Sequence, residues 1–189
     1  MKQNLSLKKL IREAKKASEH HGEIIDVVLY GSTSRGKPSP RDIDVLVIVT
    51  KPIDRSILNE YSPTILSYRD FLERFPNESI LHEGFSLLFG KPIAELYRLA
   101  SFFLFRYDLR GKSPSQRMGF YYALYGRNGP GVLQRTKSKK FSSETLLTPT
   151  ENSDVVREFL EFQKVEYFSL PILFPVSYKD AEKLSGGGK

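Results

Sequence analysis

The sequence contains no cysteine, two methionines and three histidines among its 189 residues. Without a thiol, neither a disulfide framework nor a thiolate metal site can contribute to its fold or chemistry. No apolar run approaches the roughly 20 residues needed to cross a bilayer. Residues 1–16 alternate lysine with leucine at helical spacing and lack the uninterrupted apolar core of a signal peptide. A soluble cytoplasmic protein with no membrane partner is the simplest expectation. The histidines offer little: His20 and His21 sit at an expected helix C-terminus, where a cation favours the helix dipole, and His82 beside Glu83 does not define a metal site. Neither a Ser-His-Asp arrangement nor a phosphate loop ending in Gly-Lys-Ser/Thr is found, and there is no internal repeat.

Acidic residues are also in deficit, and the deficit is local. The chain carries 29 Lys and Arg against 22 Asp and Glu, a net charge of +7. Residues 106–140 hold nine of the basic residues and a single acid, Asp108, which leaves 20 basic and 21 acidic residues elsewhere. The whole positive excess therefore lies in this segment, interleaved with Tyr107, Phe120, Tyr121, Tyr122 and Tyr125. Such a mixture neutralises phosphates and stacks bases, as single-stranded nucleic acid requires. The bland alternative is a helix with Phe120, Tyr121 and Leu124 on its core face and solvated cations around it. Both readings stand at the level of sequence. Arg127 and the run Arg135, Lys137, Lys139 and Lys140, which contains no large apolar residue, are the candidate phosphate contacts.

With 40 % hydrophobic residues the chain has enough apolar sequence for a normal core. Its most informative stretch is Leu29-Tyr30-Gly31-Ser32-Thr33-Ser34-Arg35-Gly36, followed by Arg41-Asp42-Ile43-Asp44-Val45-Leu46-Val47. A strand over Ile24–Tyr30 runs into Gly31-Ser32, where glycine permits close backbone approach to an anion and Ser32 can donate to a phosphate oxygen. Asp42 and Asp44 are one residue apart in an apolar run, so strand alternation puts both carboxylates on one face. Aspartate is disfavoured within strands, and two of them flanking Ile43 call for a functional reason. Two carboxylates beside a phosphate cradle suit Mg²⁺.

The Gly-Ser turn, nine intervening residues and Asp-x-Asp resemble the nucleotidyltransferases of the DNA polymerase beta superfamily, most closely the minimal members found in archaea and bacteria. Arg35 and Gly36 match the family's Gly-Ser-x-x-Arg-Gly form. The strict match covers residues 24–49, and residues 5–88 follow the family's order of elements. The resemblance implies Gly31, Ser32 and Arg35 on the nucleotide, Asp42 and Asp44 on Mg²⁺, and an NTP, ATP first, as substrate. It also implies an acceptor hydroxyl, on RNA as in the tRNA CCA-adding enzymes or on a protein as in antitoxins that modify a HEPN-family toxin. The oligomeric state is left open.

One element of the family pattern is missing. A third acid on the strand next to Asp-x-Asp completes the family's metal site, and the matching position here is Ser62. Alternation places Glu60, Ser62 and Thr64 on one side, so Glu60 is the candidate third carboxylate, with Glu83 as a second substitute. Losing such a base typically costs about 10²- to 10⁴-fold in rate.

The periodicity predicts an α/β (α+β) fold, a mixed sheet flanked by helices. A nucleotidyltransferase-like domain over residues 1–100 is followed by a small basic α/β unit over 101–184 and a flexible tail at 185–189. Expected elements are a basic helix through Leu5, Leu10 and Ala14, a short helix at 54–61, a strand at 64–68, and a long helix from Pro92 to Phe105. A capping box at Ser113-Pro114-Ser115-Gln116 opens a helix through Tyr125. A late helix through Val156 and Leu160 lies between strands at 145–147 and 165–174. Two functions remain: Mg²⁺-dependent transfer of a nucleoside monophosphate to an RNA or protein hydroxyl, or nucleic-acid binding on a fold that has lost its chemistry at Ser62.

Overall fold

The computed structural model describes residues 2–35, 43–54, 56–74 and 80–176. Gly36, Arg41, Asp42 and the tail at 185–189 lie outside them. The chain divides into two units, Met1–Ser34 with Pro40–Tyr97, and Arg35–Ser39 with Arg98–Lys189. Both mix helices with a β-sheet, which makes the protein α+β.

The first unit begins with helix α1 (Lys2–His20) and strands β1 (Ile24–Tyr30) and β2 (Asp44–Val49). A 3₁₀ turn at Asn59–Tyr61 leads to β3 (Thr64–Ser67), then α2 (Tyr68–Arg74), α3 (Ile80–Glu83), β4 (Phe85–Ser86), β5 (Lys91–Pro92) and α4 (Ile93–Leu96). The sheet order is β3-β2-β1-β4-β5, with β2 and β3 parallel and the other pairs antiparallel. Both faces are covered, so β1 and β2 read as continuous apolar runs. Leu10 and Ala14 of α1, fully buried, pack over Val27, Leu29, Val45 and Val47 on one face. Val28, Leu46, Ile48 and Leu66 face the other way, against Phe71, Ile80 and Ile93. At the end of α1 the exposed His20 donates from Nδ1 to the Lys16 carbonyl at 2.8 Å, a helix-terminal role.

The second unit is built on β6 (Leu99–Asp108), α5 (Pro114–Tyr125), α6 (Val132–Arg135), β7 (Lys139–Ser142), β8 (Thr145–Pro149), a 3₁₀ turn at Thr150–Asn152, α7 (Ser153–Phe162) and β9 (Glu166–Pro175). Its antiparallel sheet has the order β7-β8-β6-β9. Phe103, Phe105 and Tyr107 alternate onto one face and meet Phe120 and Leu124 of α5 and Val156 and Leu160 of α7. The capping box forms as expected: Gln116 N–H donates to Ser113 Oγ at 3.3 Å, and Ser113 N–H donates to Gln116 Oε1 at 2.9 Å.

Two expectations need correction. The long helix from Pro92 to Phe105 does not form: α4 stops at Leu96, and Leu99–Asp108 is a strand paired along its whole length with β9. Ala100, Phe102 and Leu104 are apolar too, so the period-2 burial of Phe103, Phe105 and Tyr107 is hidden in the sequence, and pairing with β9 decides the conformation. The helix expected at 54–61 is only the 3₁₀ turn at Asn59–Tyr61, bounded by the left-handed residues Leu58 (φ 55°) and Ser62 (φ 45°).

Candidate active site

β1 and β2 pair so that Tyr30 lies opposite Asp44, which brings the residue after β1 against the first residue of β2. That residue is Gly31, at φ +74°, and a Cβ built on it would overlap Asp44 Oδ2. The glycine turn and the acidic strand thus close on each other as the spacing predicted, and glycine is required twice, for its backbone angle and for the space it leaves. Ser32 and Thr33 continue the turn, half-buried, and Ser34 Oγ closes it by donating to the Gly31 carbonyl at 2.8 Å. Asp44 is itself half-buried, at the start of the interior strand β2 rather than in the core.

Gly31→Ala is expected to lower thermal stability by about 1–2 kcal/mol, the cost of a left-handed non-glycine residue, while displacing the Asp44 carboxylate. A melting curve and a nucleotidyl-transfer assay on the same preparation check both effects.

The third carboxylate is not where alternation placed it. β3 begins at Thr64, opposite Leu46, so its register carries Ser62 beside Asp44, but Ser62 leaves the strand in a left-handed conformation. Glu60 lies in the 3₁₀ turn and bonds Lys9 of α1, holding the Lys9 ammonium above its ordinary pKa. Since α1 covers the face bearing Val45 and Val47, Glu60 turns toward the layer opposite Asp44. The alternation fails because the chain coils before β3 instead of extending. Glu83 ends α3, two residues before Phe85 pairs with Leu29. Among the described residues no three His, Asp or Glu side chains group to hold a metal. Asp42, the expected partner of Asp44, is not among those residues.

The remaining candidates lie in the second unit. Arg35 Nε donates to Asp154 Oδ1 at 3.1 Å, and the Arg35 carbonyl accepts from Asp154 N–H at 3.3 Å. Asp154 is 6 % exposed and also lies 3.5 Å from Arg157 Nε. The basic run is not uniformly exposed. Arg135, Lys137 and Lys140 are exposed, whereas Lys139, half-exposed, pairs with Leu147 on the sheet face away from α5 and α7. The aromatics divide as well: Phe120 and Tyr107 are core, while Tyr122 and Tyr125 point outward.

One acid escaped the sequence reading. Asp26, in the middle of β1 and 4 % exposed, accepts from Ser86 Oγ and from Val27 N–H, each at 2.8 Å. Ser86 Oγ in turn accepts from Phe89 N–H at 3.0 Å, so the pair ties β1 to β4 and the turn after it. Its only sequence signal is an aspartate inside Ile-Ile-Asp-Val-Val. Burial pushes the Asp26 carboxyl above its ordinary pKa, against the hydrogen bonds from Ser86 and Val27. The folded protein then holds the proton more tightly than the unfolded chain. Acidification favours the fold between the raised value and the ordinary range near about pH 4, and the penalty is complete above the raised value. Urea midpoints for the wild type and Asp26→Asn are expected to differ in pH dependence, with the wild type gaining on the variant as pH falls from neutrality toward the ordinary carboxylate range.

A glycine turn set against an acidic strand in a mixed sheet is the frame of a nucleotidyl-transfer domain, which needs bare backbone for phosphates and carboxylates for a cation. Residues 7–92 match the family model described as the nucleotidyltransferase domain, in agreement with the resemblance to the polymerase beta-like superfamily. The general activity of such domains is nucleotidyl transfer, with an NTP and a divalent metal. No curated protein and no solved structure matches the chain. No helix among the described residues is long and apolar enough to cross a membrane.

Proposed function

We propose that the protein is a cytoplasmic, Mg²⁺-dependent nucleotidyltransferase that moves a nucleoside monophosphate from an NTP, ATP first, to a hydroxyl of an RNA or protein acceptor. The observation that carries this reading is the closure of Gly31 on Asp44. It leaves bare backbone for a terminal phosphate next to the carboxylate that would share a cation with Asp42. Ser32 would donate to the phosphate from the same turn. Mg²⁺ held by these residues supplies Lewis-acid stabilisation of the pyrophosphate and activates the attacking hydroxyl.

A specific observation favours a second reading, nucleic-acid binding without transfer. Ser62 stands at the register position of the third acid, and Glu60 is committed to Lys9. Incubation with Mg²⁺ and each α-³²P-labelled NTP, with cellular RNA or cell extract as acceptor, separates the two. Label transfer that disappears in Asp42→Asn/Asp44→Asn supports the transferase. No transfer to either acceptor, with the protein folded, overturns it in favour of the second reading.

A further inference from the structure

The second unit presents aromatic rings and cations that its own core does not use. The inward face of α5 is complete with Phe120 and Leu124, 2 % and 0 % exposed, yet Tyr122 and Tyr125 on the same helix remain 41 % and 44 % exposed. Residues three apart on a helix are neighbours on its surface. Tyr125 stacks on Tyr121 with ring centroids 5.9 Å apart and planes 23° apart, which fixes its orientation. The Arg127 guanidinium lies 4.8 Å over the Tyr122 ring, and Lys140 Nζ 5.9 Å over the Tyr125 ring.

These cations are held in place rather than trailing in a loop. Arg127 follows Gly126, at φ +91°, where a Cβ would overlap the Gly129 carbonyl, so the turn is closely packed. Leading to Lys140, Thr136 and Ser138 are buried, and their hydroxyls link Val132 O to Thr148 Oγ1 through hydrogen bonds of 2.7, 2.7 and 2.9 Å. Lys137, between them, is exposed, as is Arg135 at the end of α6. No acidic residue occurs between Asp108 and Glu144. Among the described residues none of Arg127, Arg135, Lys137 and Lys140 makes an ion pair.

We propose that this surface binds single-stranded RNA, stacking bases on Tyr122, Tyr125 and the Arg127 guanidinium, and neutralising phosphates with Arg127, Arg135, Lys137 and Lys140. An acidic protein would satisfy the cations but leave the ring faces unused, and a duplex keeps its bases stacked internally, so a single strand uses both parts. Exposed Ser143, just beyond Lys140, adds a hydroxyl that exchanges hydrogen bonds with a ribose 2′-hydroxyl, and Ser142, which donates to Thr145 Oγ1 at 2.9 Å, can accept one, which favours RNA over DNA. This proposal rests on and deepens the nucleic-acid-binding reading above but requires no nucleotidyl transfer, so oligo(U) binding and label transfer succeed or fail independently.

The test is fluorescence anisotropy of the full chain with a labelled 12-nucleotide oligo(U), without nucleotide or Mg²⁺, across a salt series. Tyr122→Ala/Tyr125→Ala is expected to weaken binding by at least about 10-fold with little change in salt dependence. Arg127→Gln/Lys140→Gln is expected to lower the slope of log K against log salt by about 1.4, roughly 0.7 for each single-strand phosphate that no longer meets a cation. All four side chains are outside the core, and circular dichroism melts confirm that the variants fold. The proposal is overturned if oligo(U) does not bind, if both double variants bind like the wild type, or if an acidic peptide competes as well as oligo(U) does. Equal affinity for oligo(dT) overturns the assignment to RNA.

Discussion

Asp44→Asn is expected to reduce label transfer by on the order of 10³-fold, because the variant keeps the shape of the site and removes its charge. A cation clamp contributes several kcal/mol of transition-state stabilisation, and about 4 kcal/mol corresponds to this factor. The substitution is nearly isosteric at the first residue of β2, where backbone pairing with Tyr30 and burial of Val45 and Leu46 hold the strand regardless of the side chain. Stability is therefore expected to stay within about 0.5 kcal/mol of wild type. A large loss of rate without a loss of stability is the signature of a group that acts on charge. Transfer within a few-fold of wild type would exclude Asp44 from the metal site. Loss of rate together with an early melting transition would make it a folding residue instead.

The second large effect is on the fold of the basic unit. Phe105→Ala is expected to destabilise that unit by about 3–5 kcal/mol, the range for removing a buried phenyl group. Phe105 is fully buried at the centre of β6, with its centroid 6.2 Å from that of Phe103 and 6.1 Å from that of Tyr167. Arg157 covers the ring from 5.6 Å. The surrounding groups are held by two β-strands and a helix, so the space cannot collapse easily. Since domains are stable by only about 5–15 kcal/mol, this loss takes a large part of the total. A shift in the urea midpoint measures it, and a shift equivalent to less than about 1 kcal/mol would mean that the β6 core is not packed as described.

The site was legible where chemistry and local geometry coincide. Gly31 and Asp44 could be read because a glycine that must adopt φ > 0 and an aspartate in an apolar strand are both local anomalies, and their spacing points to one kind of chemistry. The first helix, β1 and the capping box of α5 were readable for the same reason, since periodicity and caps are short-range signals. Glu60 could not be placed, because alternation holds only while a strand lasts, and the left-handed Leu58 and Ser62 end that extension. Asp26 gave the local signal of an acid in an apolar run but not its meaning, which depends on Ser86, 60 residues away.

By itself, then, the sequence determined the nucleotidyltransferase resemblance of the first unit, its candidate Gly31 and Asp44, and the concentration of positive charge between residues 106 and 140. Tertiary pairing alone decided the rest. It made Leu99–Asp108 a strand, because ten paired residues of β9 outweigh a helical pattern in an aromatic run. It sent Phe120 and Leu124 inward while leaving Tyr122 and Tyr125 beside cations, and it gave the Glu60 carboxylate to Lys9 and that of Asp154 to Arg35. For β6, Glu60 and Asp154 the physical reason is the same: a residue's period and charge are fixed locally, but the partner that satisfies it is supplied by a segment tens of residues away.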